Sequence, residues 1–253
     1  MEKSANFVIK KVMENSLNLT VDIFLQPVFD LSSFKCVGAE VLVRGFYRRN
    51  IVAPNLFIHQ LEENGGIIYL GSYVLDQTFK YMSEVLIPNN FLYILSVNIS
   101  LVQLNELGFA QTVIQLAEKY KIPADRVMLE LTETQGHPDI NGQHNAAQLQ
   151  EYGFLLAWDD VTSADEAEQK MKLVKTDFIK LDRSCFKKGA MDETLKLIDK
   201  AQSLDTDVVA EGIETFAQTS LMLKHGVRLA QGFLFSRPLN KDDFNEEYIR
   251  KLQ

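Results

Sequence analysis

Two adjacent carboxylates at the end of an apolar run are the part of this sequence that most directly indicates chemistry. Five apolar residues, 154–158, lead straight into Asp159 and Asp160. A continuous apolar run of this length predicts a strand that is buried on both faces. Neighbouring side chains on a strand point to opposite faces, so the two aspartates can share one site only where the strand ends and the backbone turns.

Two explanations account for the aspartate pair. Without a counter-charge, adjacent carboxylates repel each other and one takes up a proton, whereas bridging divalent cations remove this repulsion. The pair therefore predicts a metal site. The alternative is that an aspartate at a strand-to-helix junction only caps the following helix. This stretch alone leaves both explanations open.

Polar residues recur at or near the C-terminal ends of the predicted strands, and this recurrence favours the metal site. If they were only caps, Ser, Thr and Asn should dominate, whereas most of them are carboxylates. In an α/β barrel, this end is where active sites are built. The residues are Asn98, Glu130, Asp159 with Asp160, Lys180 and Glu211, with Glu40 and Gln231 on the flanking strands.

Hard oxygen ligands without histidine suit Mg²⁺ or Mn²⁺ better than Zn²⁺. Two such cations, roughly 3.5–4 Å apart and bridged by a carboxylate such as Asp159, are suited to in-line attack on a phosphodiester. Lys180 would then orient or help deprotonate the attacking water, or neutralise a phosphate oxygen. The alternative role for Lys180 is a structural ion pair with Asp182 or Glu211. The four histidines fall in predicted helices or loops and are interpreted as surface residues.

A hairpin and a regular alternation of strands and helices must position these residues. The first two predicted strands, Val21–Asp30 and Cys36–Arg44, are joined by a short polar turn. A parallel pair needs a crossover of about a dozen residues, so these strands are antiparallel. Eight predicted strands, with helices between most of them, indicate one α/β barrel covering residues 1–253 rather than two domains, with a lead-in helix over 1–17. The later predicted strands are 93–100, 127–133, 154–160, 178–182, 207–211 and 229–235, and one of the predicted helices runs unbroken over 101–120.

Composition excludes some classes of function. The net charge of -8 argues against polymeric nucleic acid as a partner, although it allows a small anionic ligand held by metals. Cys36 and Cys185 lie far apart beside apolar residues, which indicates buried free thiols. No signal peptide is visible and the apolar run near Ile23 is too short for a membrane span, so we expect a cytoplasmic protein without membrane contact.

An ordered set of motifs resembles the EAL domain family, the bacterial cyclic di-GMP phosphodiesterases. The name-giving motif stands here as Ala39-Glu40-Val41-Leu42-Val43-Arg44. Val41 replaces an alanine, and because both residues are small and apolar, the change leaves Glu40 free to bind metal. The other matches lie between residues 21 and 238: Leu25-Gln26-Pro27, Val97–Ser100, Leu129–Glu133, Asp159-Asp160, Ile179–Asp182, Ala210–Glu214 and Ala230–Phe233.

The resemblance implies a modified (β/α)8 TIM-like barrel with one antiparallel strand, two Mg²⁺ or Mn²⁺ ions, and hydrolysis of cyclic di-GMP to linear pGpG. By this resemblance, one metal is held by Glu40, Asn98, Glu130 and Asp159, and the second by Asp159, Asp160 and Glu211. It gives catalytic roles to Lys180, Glu211, Gln231 and Glu40, and substrate contacts to Gln26, Arg44 and Asp182. Glu133 would support the loop after the paired aspartates, a loop that in the family also takes part in dimer contacts.

That loop departs from the family pattern. Active members usually have a Phe-Gly-Thr-Gly-Tyr-Ser-Ser-like loop, whereas this chain has Val161–Ala167. The substitution removes two glycines and the backbone freedom they provide. Asp165 and Glu166 fit the first turn of the next helix, where acids are favourable. Two interpretations follow: an enzyme that hydrolyses cyclic di-GMP, or a module without turnover that binds the nucleotide or a protein partner as a regulator.

Overall fold

An antiparallel hairpin begins the described part of the chain. The computed structural model describes residues 19–48, 50–132 and 136–250. Strand β1 (Thr20–Asp30) pairs with β2 (Lys35–Tyr47), and Gln26 lies opposite Glu40. The Asp30 carboxylate accepts hydrogen bonds from the backbone N–H groups of Ser32 and Ser33, which fixes the turn. The predicted hairpin is confirmed.

Eight strands close into a barrel in which only β1 runs against its neighbours. Strand β2 pairs in parallel with β4, the parallel pairing continues in sequence order to β9, and β1 closes the ring by pairing antiparallel with β9 and β2. A short additional strand, β3, pairs with β2 outside the ring. The predicted modified (β/α)8 barrel is therefore confirmed. The remaining strands are β3 (Asn50–Val52), β4 (Ile94–Ser100), β5 (Val127–Thr132), β6 (Leu155–Val161), β7 (Phe178–Leu181), β8 (Asp207–Ala210) and β9 (Leu229–Ala230).

Helices cover the outside of the barrel. Within the described ranges they are α1 (Ile58–Glu63), α2 (Gly66–Tyr81), α3 (Leu101–Leu104), α4 (Phe109–Tyr120), α5 (Ile140–Tyr152), α6 (Ala164–Leu173), α7 (Met191–Ser203), α8 (Phe216–Lys224) and α9 (Lys241–Phe244). Their apolar faces pack on the strands, and the core includes the fully buried Trp158, whose indole N–H donates to the carbonyl of Val174 at 2.9 Å.

Two predicted elements differ from the structure, and one observed strand is additional. The single helix expected over 101–120 is two helices, because the backbone at Gly108 takes a left-handed conformation (φ 78°) that interrupts the helix. The last strand stops at Ala230 rather than Phe235, because the N–H of Phe235 turns back to the carbonyl of Gly232. Strand β3 was not predicted. The lead-in helix over 1–17 lies outside the described residues.

Candidate active site

The polar residues predicted at the strand ends meet at one end of the barrel. Asn98 and Glu130 are register partners on β4 and β5, and Glu211 and Gln231 directly follow β8 and β9. Side-chain contacts connect seven of the predicted residues into one cluster: Glu40, Asn98, Glu130, Asp159, Lys180, Glu211 and Gln231.

Lys180 is the centre of this cluster. Its Nζ lies 2.5 Å from Glu211 Oε1 and 2.6 Å from Glu130 Oε2. It also lies 3.2 Å from Asp159 Oδ1 and 3.4 Å from Glu40 Oε2, and the lysine side chain is 1% exposed. Lys180 is therefore the shared counter-ion of four acids. The expected pairing with Glu211 is present, but it is one of four.

Two amide side chains orient the acids. Asn98 Nδ2 donates to Glu40 Oε1 at 2.8 Å. Gln231 Nε2 donates to Glu40 Oε2 at 2.5 Å and to Glu211 Oε1 at 3.0 Å. Because the amide nitrogens are used in this way, the carbonyl oxygens keep their lone pairs for other partners, and Gln231 Oε1 accepts no hydrogen bond from the described residues.

A bulge at the end of β6 brings Asp159 and Asp160 to the same site. The pairing of β6 with β7 shifts between Trp158 and Val161, and Asp160 has a left-handed backbone with φ 50°. A residue with a Cβ disfavours this conformation by about 1–2 kcal/mol. The shift turns both side chains to one face, so that carboxylate oxygens of Asp159, Asp160 and Glu211 all lie within 4.8 Å of one another.

The alternative explanation, that the aspartates cap a helix, is wrong. Ser163 is the residue that caps α6, since its hydroxyl accepts a hydrogen bond from the N–H of Glu166 at 3.2 Å. Asp165 and Glu166 occupy the first turn of α6, as the sequence predicts. Neither aspartate caps α6, and both carboxylates lie near that of Glu211 instead.

Crowding of negative charge shifts the pKa values of the acids. Burial raises the pKa of Glu211 and Glu130 well above the usual value, and repulsion from neighbouring carboxylates adds to this effect. Burial, together with repulsion from Asp159 and Asp182, raises the pKa of Asp160 to about 6. For Glu40, burial opposes ionisation, but Lys180 and the two amides lower its pKa.

Three buried oxygen atoms in the cluster accept no hydrogen bond from the described residues. They are Glu130 Oε1, Asp159 Oδ1 and Gln231 Oε1. Asp159 Oδ1 still has the Lys180 ammonium 3.2 Å away as an ion-pair partner. Buried polar atoms in folded proteins are normally satisfied, so Glu130 Oε1 and Gln231 Oε1 need a partner that the described residues do not supply. Carboxylate and amide oxygens without a nitrogen or sulfur ligand are the donor set that Mg²⁺ and Mn²⁺ prefer. The residues present therefore fit a divalent cation site.

A cavity of about 470 Å³ opens beside the acids. Ligand pockets in proteins typically have volumes of 300–1,000 Å³. The polar end of the cavity includes Gln26, Glu40, Asn98, Asp159, Asp160, Glu211 and Gln231, and its other wall is mainly apolar, with Ile58, Ile67, Leu70 and Val74. The predicted substrate contact Gln26 therefore faces the same space as the acids.

The cavity has one acidic neighbour that the sequence did not reveal. Glu62 lies in the apolar wall and is 5% exposed. It stands four residues after Ile58 on α1, so the two residues share one face of the helix. That spacing from an inward-facing isoleucine is the sequence signal that could have identified Glu62.

Five predicted site residues are not among the described residues that line this cavity. Glu130 and Lys180 belong to the buried cluster and line a smaller neighbouring cavity inside the barrel, and the other three are Arg44, Asp182 and Glu133. Arg44 donates from Nη1 to the carbonyl of Val43 at 2.9 Å. Asp182 accepts a hydrogen bond from the N–H of Ser184 at 2.8 Å and caps a short helical turn. Glu133 lies outside the described residues. The substrate contacts of Arg44 and Asp182 and the supporting role of Glu133 stay predictions.

The fold is a modified (β/α)8 barrel with a cluster of acids at one end, and sequence comparison gives the family to which it belongs. The model of the EAL domain matches residues 11–238, so the chain belongs to the EAL domain family. It is 29% identical over 238 residues to the cyclic di-GMP phosphodiesterase PdeL of Escherichia coli (strain K12), with 90% of this chain and 65% of PdeL covered. The chain thus spans less than two thirds of that relative, and 42% of the probable cyclic di-GMP phosphodiesterase PdeD of the same strain.

Solved structures have the same fold. The EAL enzyme Bd1971 in its cAMP and cyclic-di-GMP bound form superposes with a TM-score of 0.84 at 24% identity, covering 100% of this chain and 70% of that one. An EAL domain protein from Listeria monocytogenes EGD-e superposes with a TM-score of 0.80 at 19% identity, covering 98% of both chains. These similarities support the barrel.

A search of the described helices for a membrane span, by length and apolar character, finds none.

Proposed function

We propose that this chain is a metal-dependent phosphodiesterase that hydrolyses cyclic di-GMP to linear pGpG. One observation carries the proposal: a buried cluster of acids, with oxygen atoms that lack partners, lies at the mouth of a cavity large enough to hold part of a dinucleotide. The membership of the EAL family and the names of the relatives support this choice of substrate.

The charge of the cluster supports two divalent cations. Four carboxylates surround Lys180, and Asp160 adds a fifth beside Asp159 and Glu211, which leaves an excess of four negative charges when all are ionised. Two divalent cations would neutralise this excess. Glu40, Asn98, Glu130 and Asp159 would hold one cation, and Asp159, Asp160 and Glu211 would hold the other.

Bound cations of this kind supply Lewis-acid activation of a water molecule and of the phosphodiester group. The residues of the chain do the positioning. Lys180 would orient the attacking water with an ammonium hydrogen, and its charge would stabilise the negative charge that develops on the phosphate. Gln231 holds the carboxylates of Glu40 and Glu211 in place and would support the water network.

The cavity has the two surfaces that a cyclic dinucleotide requires. The phosphodiester of the substrate would lie at the polar end, where Gln26 faces the acids across the hairpin. A guanine base would lie on the apolar wall formed by helices α1 and α2, where burial of its faces is favourable. Only one of the two phosphodiester bonds would then be presented for hydrolysis.

The altered loop after the paired aspartates favours a second candidate. Val161–Ala167 lacks the glycines of the family pattern, and a chain that binds cyclic di-GMP without turnover would act as a nucleotide sensor or through a protein partner. Homodimer formation belongs to the same set of proposals, because this loop takes part in dimer contacts in the family.

The deciding experiment incubates the purified chain with cyclic di-GMP and Mg²⁺ or Mn²⁺ and separates the products by chromatography. We expect pGpG from the wild-type protein, no pGpG when EDTA replaces the cation, and a loss of about 10³-fold or more in Asp159→Asn and Glu40→Ala. Asp165→Asn is the matched control, because Asp165 is an exposed acid in the first turn of α6, and it should retain wild-type turnover. Nucleotide binding without pGpG above the level of Asp159→Asn would support the sensor instead.

A further inference from the structure

A buried lysine behind the paired aspartates belongs to no part of the proposed mechanism. Lys170 lies on the inner side of α6 and is 4% exposed. Its Nζ donates to the backbone carbonyl of Asp159 at 3.2 Å and lies 5.4 Å from the centre of the Trp158 ring. A charged group at such a position costs free energy unless its partners compensate, and an apolar side chain there would be cheaper.

Glu166 joins this lysine to the loop that follows the aspartates. One of its carboxylate oxygens, Oε1, lies 2.9 Å from Lys170 Nζ. The other, Oε2, accepts hydrogen bonds from the backbone N–H of Thr162 at 2.9 Å and from the Thr162 hydroxyl at 2.8 Å. The three side chains therefore form one connected unit, the Thr162–Glu166–Lys170 clamp.

The clamp holds the chain on both sides of the bulge. It contacts the carbonyl of Asp159, one residue before Asp160, and the N–H of Thr162, two residues after it. Asp160 between these anchors has φ 50°. A backbone in a disfavoured region persists only when its surroundings over-determine it, and the clamp supplies such surroundings without any glycine.

We propose that Thr162, Glu166 and Lys170 are positioning residues that hold Asp159 and Asp160 in the geometry needed to bind the second divalent cation. They replace in this chain the conformational role that the usual glycine-containing loop would have. The inference rests on the proposed function in taking Asp159 and Asp160 as metal ligands. Partners that orient metal ligands typically change metal affinity 10–100-fold when removed.

The test compares two Glu–Lys pairs on the same helix. Lys170→Met removes the buried ammonium and keeps the apolar stem, and Lys172→Met makes the same change in the exposed pair with Glu168. Mn²⁺ binding is measured by titration calorimetry on the full chain without nucleotide. We expect Lys170→Met to weaken the lower-affinity Mn²⁺ site by roughly 10–100-fold, and Lys172→Met to stay within about twofold of wild type.

A second variant and a metal-free measurement keep the test decisive if Lys170→Met does not fold. Glu166→Gln alters a half-buried side chain and should weaken the same site, and amide hydrogen exchange over residues 159–163 should accelerate in EDTA. Wild-type Mn²⁺ affinity and exchange in a folded variant would overturn the inference. If Lys170→Met binds Mn²⁺ more weakly than Lys172→Met but the wild-type protein forms no pGpG, only the proposed function is contradicted. If the wild-type protein binds no Mn²⁺, the set of metal ligands on which the proposed function and this inference both rest is contradicted.

Discussion

Two clusters of charged side chains in this protein have opposite balances of charge. In the barrel mouth, one lysine, Lys180, is surrounded by four carboxylates and is 1% exposed. On the outside, one carboxylate, Glu168, lies 2.9 Å from Lys172 and 2.8 Å from Lys200, and its side chain is 38% exposed. Hydrogen bonds from Lys200 and Lys172 lower the pKa of Glu168 to about 2.

The difference between the clusters lies in how each charge is compensated. Water and salt screen the outer cluster, so an excess of positive charge there has little cost. The buried cluster cannot rely on water, and its excess of negative charge raises the pKa of Glu130 and Glu211. Under the proposed function, divalent cations would compensate this excess in the buried cluster, whereas the outer carboxylate is compensated by its own lysines and by water.

The largest effect is expected from removing the single cation of the buried cluster. If the proposed function is correct, Lys180→Met should lower turnover of cyclic di-GMP by about 10³-fold or more, because the charge proposed to orient the water and stabilise the phosphate is lost. Lys200→Met makes the same change in the outer cluster and should stay within about twofold of wild type. The rate of pGpG formation is the measurement. Equal rates for Lys180→Met and Lys200→Met would contradict the expectation that only the buried lysine contributes to turnover.

Removing one acid should weaken cation binding and relieve repulsion at the same time. Glu211→Gln should reduce Mn²⁺ affinity by roughly 10–100-fold. In EDTA, the same variant should unfold at a higher temperature than wild type, because the raised pKa of Glu211 shows that its negative charge is unfavourable in the folded protein. Calorimetric titration and thermal unfolding measure the two effects. A lower unfolding temperature in EDTA would mean that Lys180 fully compensates the acids.

Acid should weaken cation binding through Asp160. Its pKa of about 6 means that protons compete with the cation, so Mn²⁺ affinity should be about tenfold lower at pH 5 than at pH 7.5. Without metal the sign for stability is reversed: a carboxyl with a raised pKa in the folded state contributes stability that is fully present below its ordinary pKa of 3.8 and is lost as pH rises through about 6. Asp160→Asn should flatten both profiles. If the pH dependence of Mn²⁺ affinity and of stability is unchanged in Asp160→Asn, a residue other than Asp160 is responsible for it.

The smallest effect is expected from the outer cluster. Glu168→Gln should leave Mn²⁺ affinity and turnover at wild-type values, and its small change in unfolding temperature should disappear in about 1 M NaCl, where the Debye length is near 3 Å. Thermal unfolding at low and high salt measures this difference. A salt-independent loss of stability would show that the outer cluster is more than a screened surface network.

Periodicity and the position of polar residues at strand ends predicted most of the fold and the site. Asn98, Glu130 and Lys180 each lie near the C-terminal end of an apolar strand, and parallel strands bring these ends together, so their proximity followed from the sequence. The hairpin followed from the short turn between β1 and β2.

What the sequence could not give depends on contacts between distant segments or on local backbone conformation. The left-handed conformation of Asp160 arises where β6 shifts its pairing with β7; an aspartate tolerates this conformation but does not by itself predict it. Lys170 has the same spacing from Glu166 as Lys172 has from Glu168, so sequence spacing alone does not show which lysine is buried. The break before α4 depends on the conformation of Gly108.

Direct counting of bound Mn²⁺ tests the central claim, that the buried acids are completed by divalent cations. Metal-free wild-type protein at pH 7.5 should bind two Mn²⁺ per chain in a calorimetric titration, and Asp159→Asn, which alters the ligand that the proposal assigns to both positions, should bind fewer. The account would be contradicted if wild type bound no Mn²⁺ at concentrations up to about 1 mM, the weak end of the protein cation-site range, or if Asp159→Asn bound two ions with unchanged affinity.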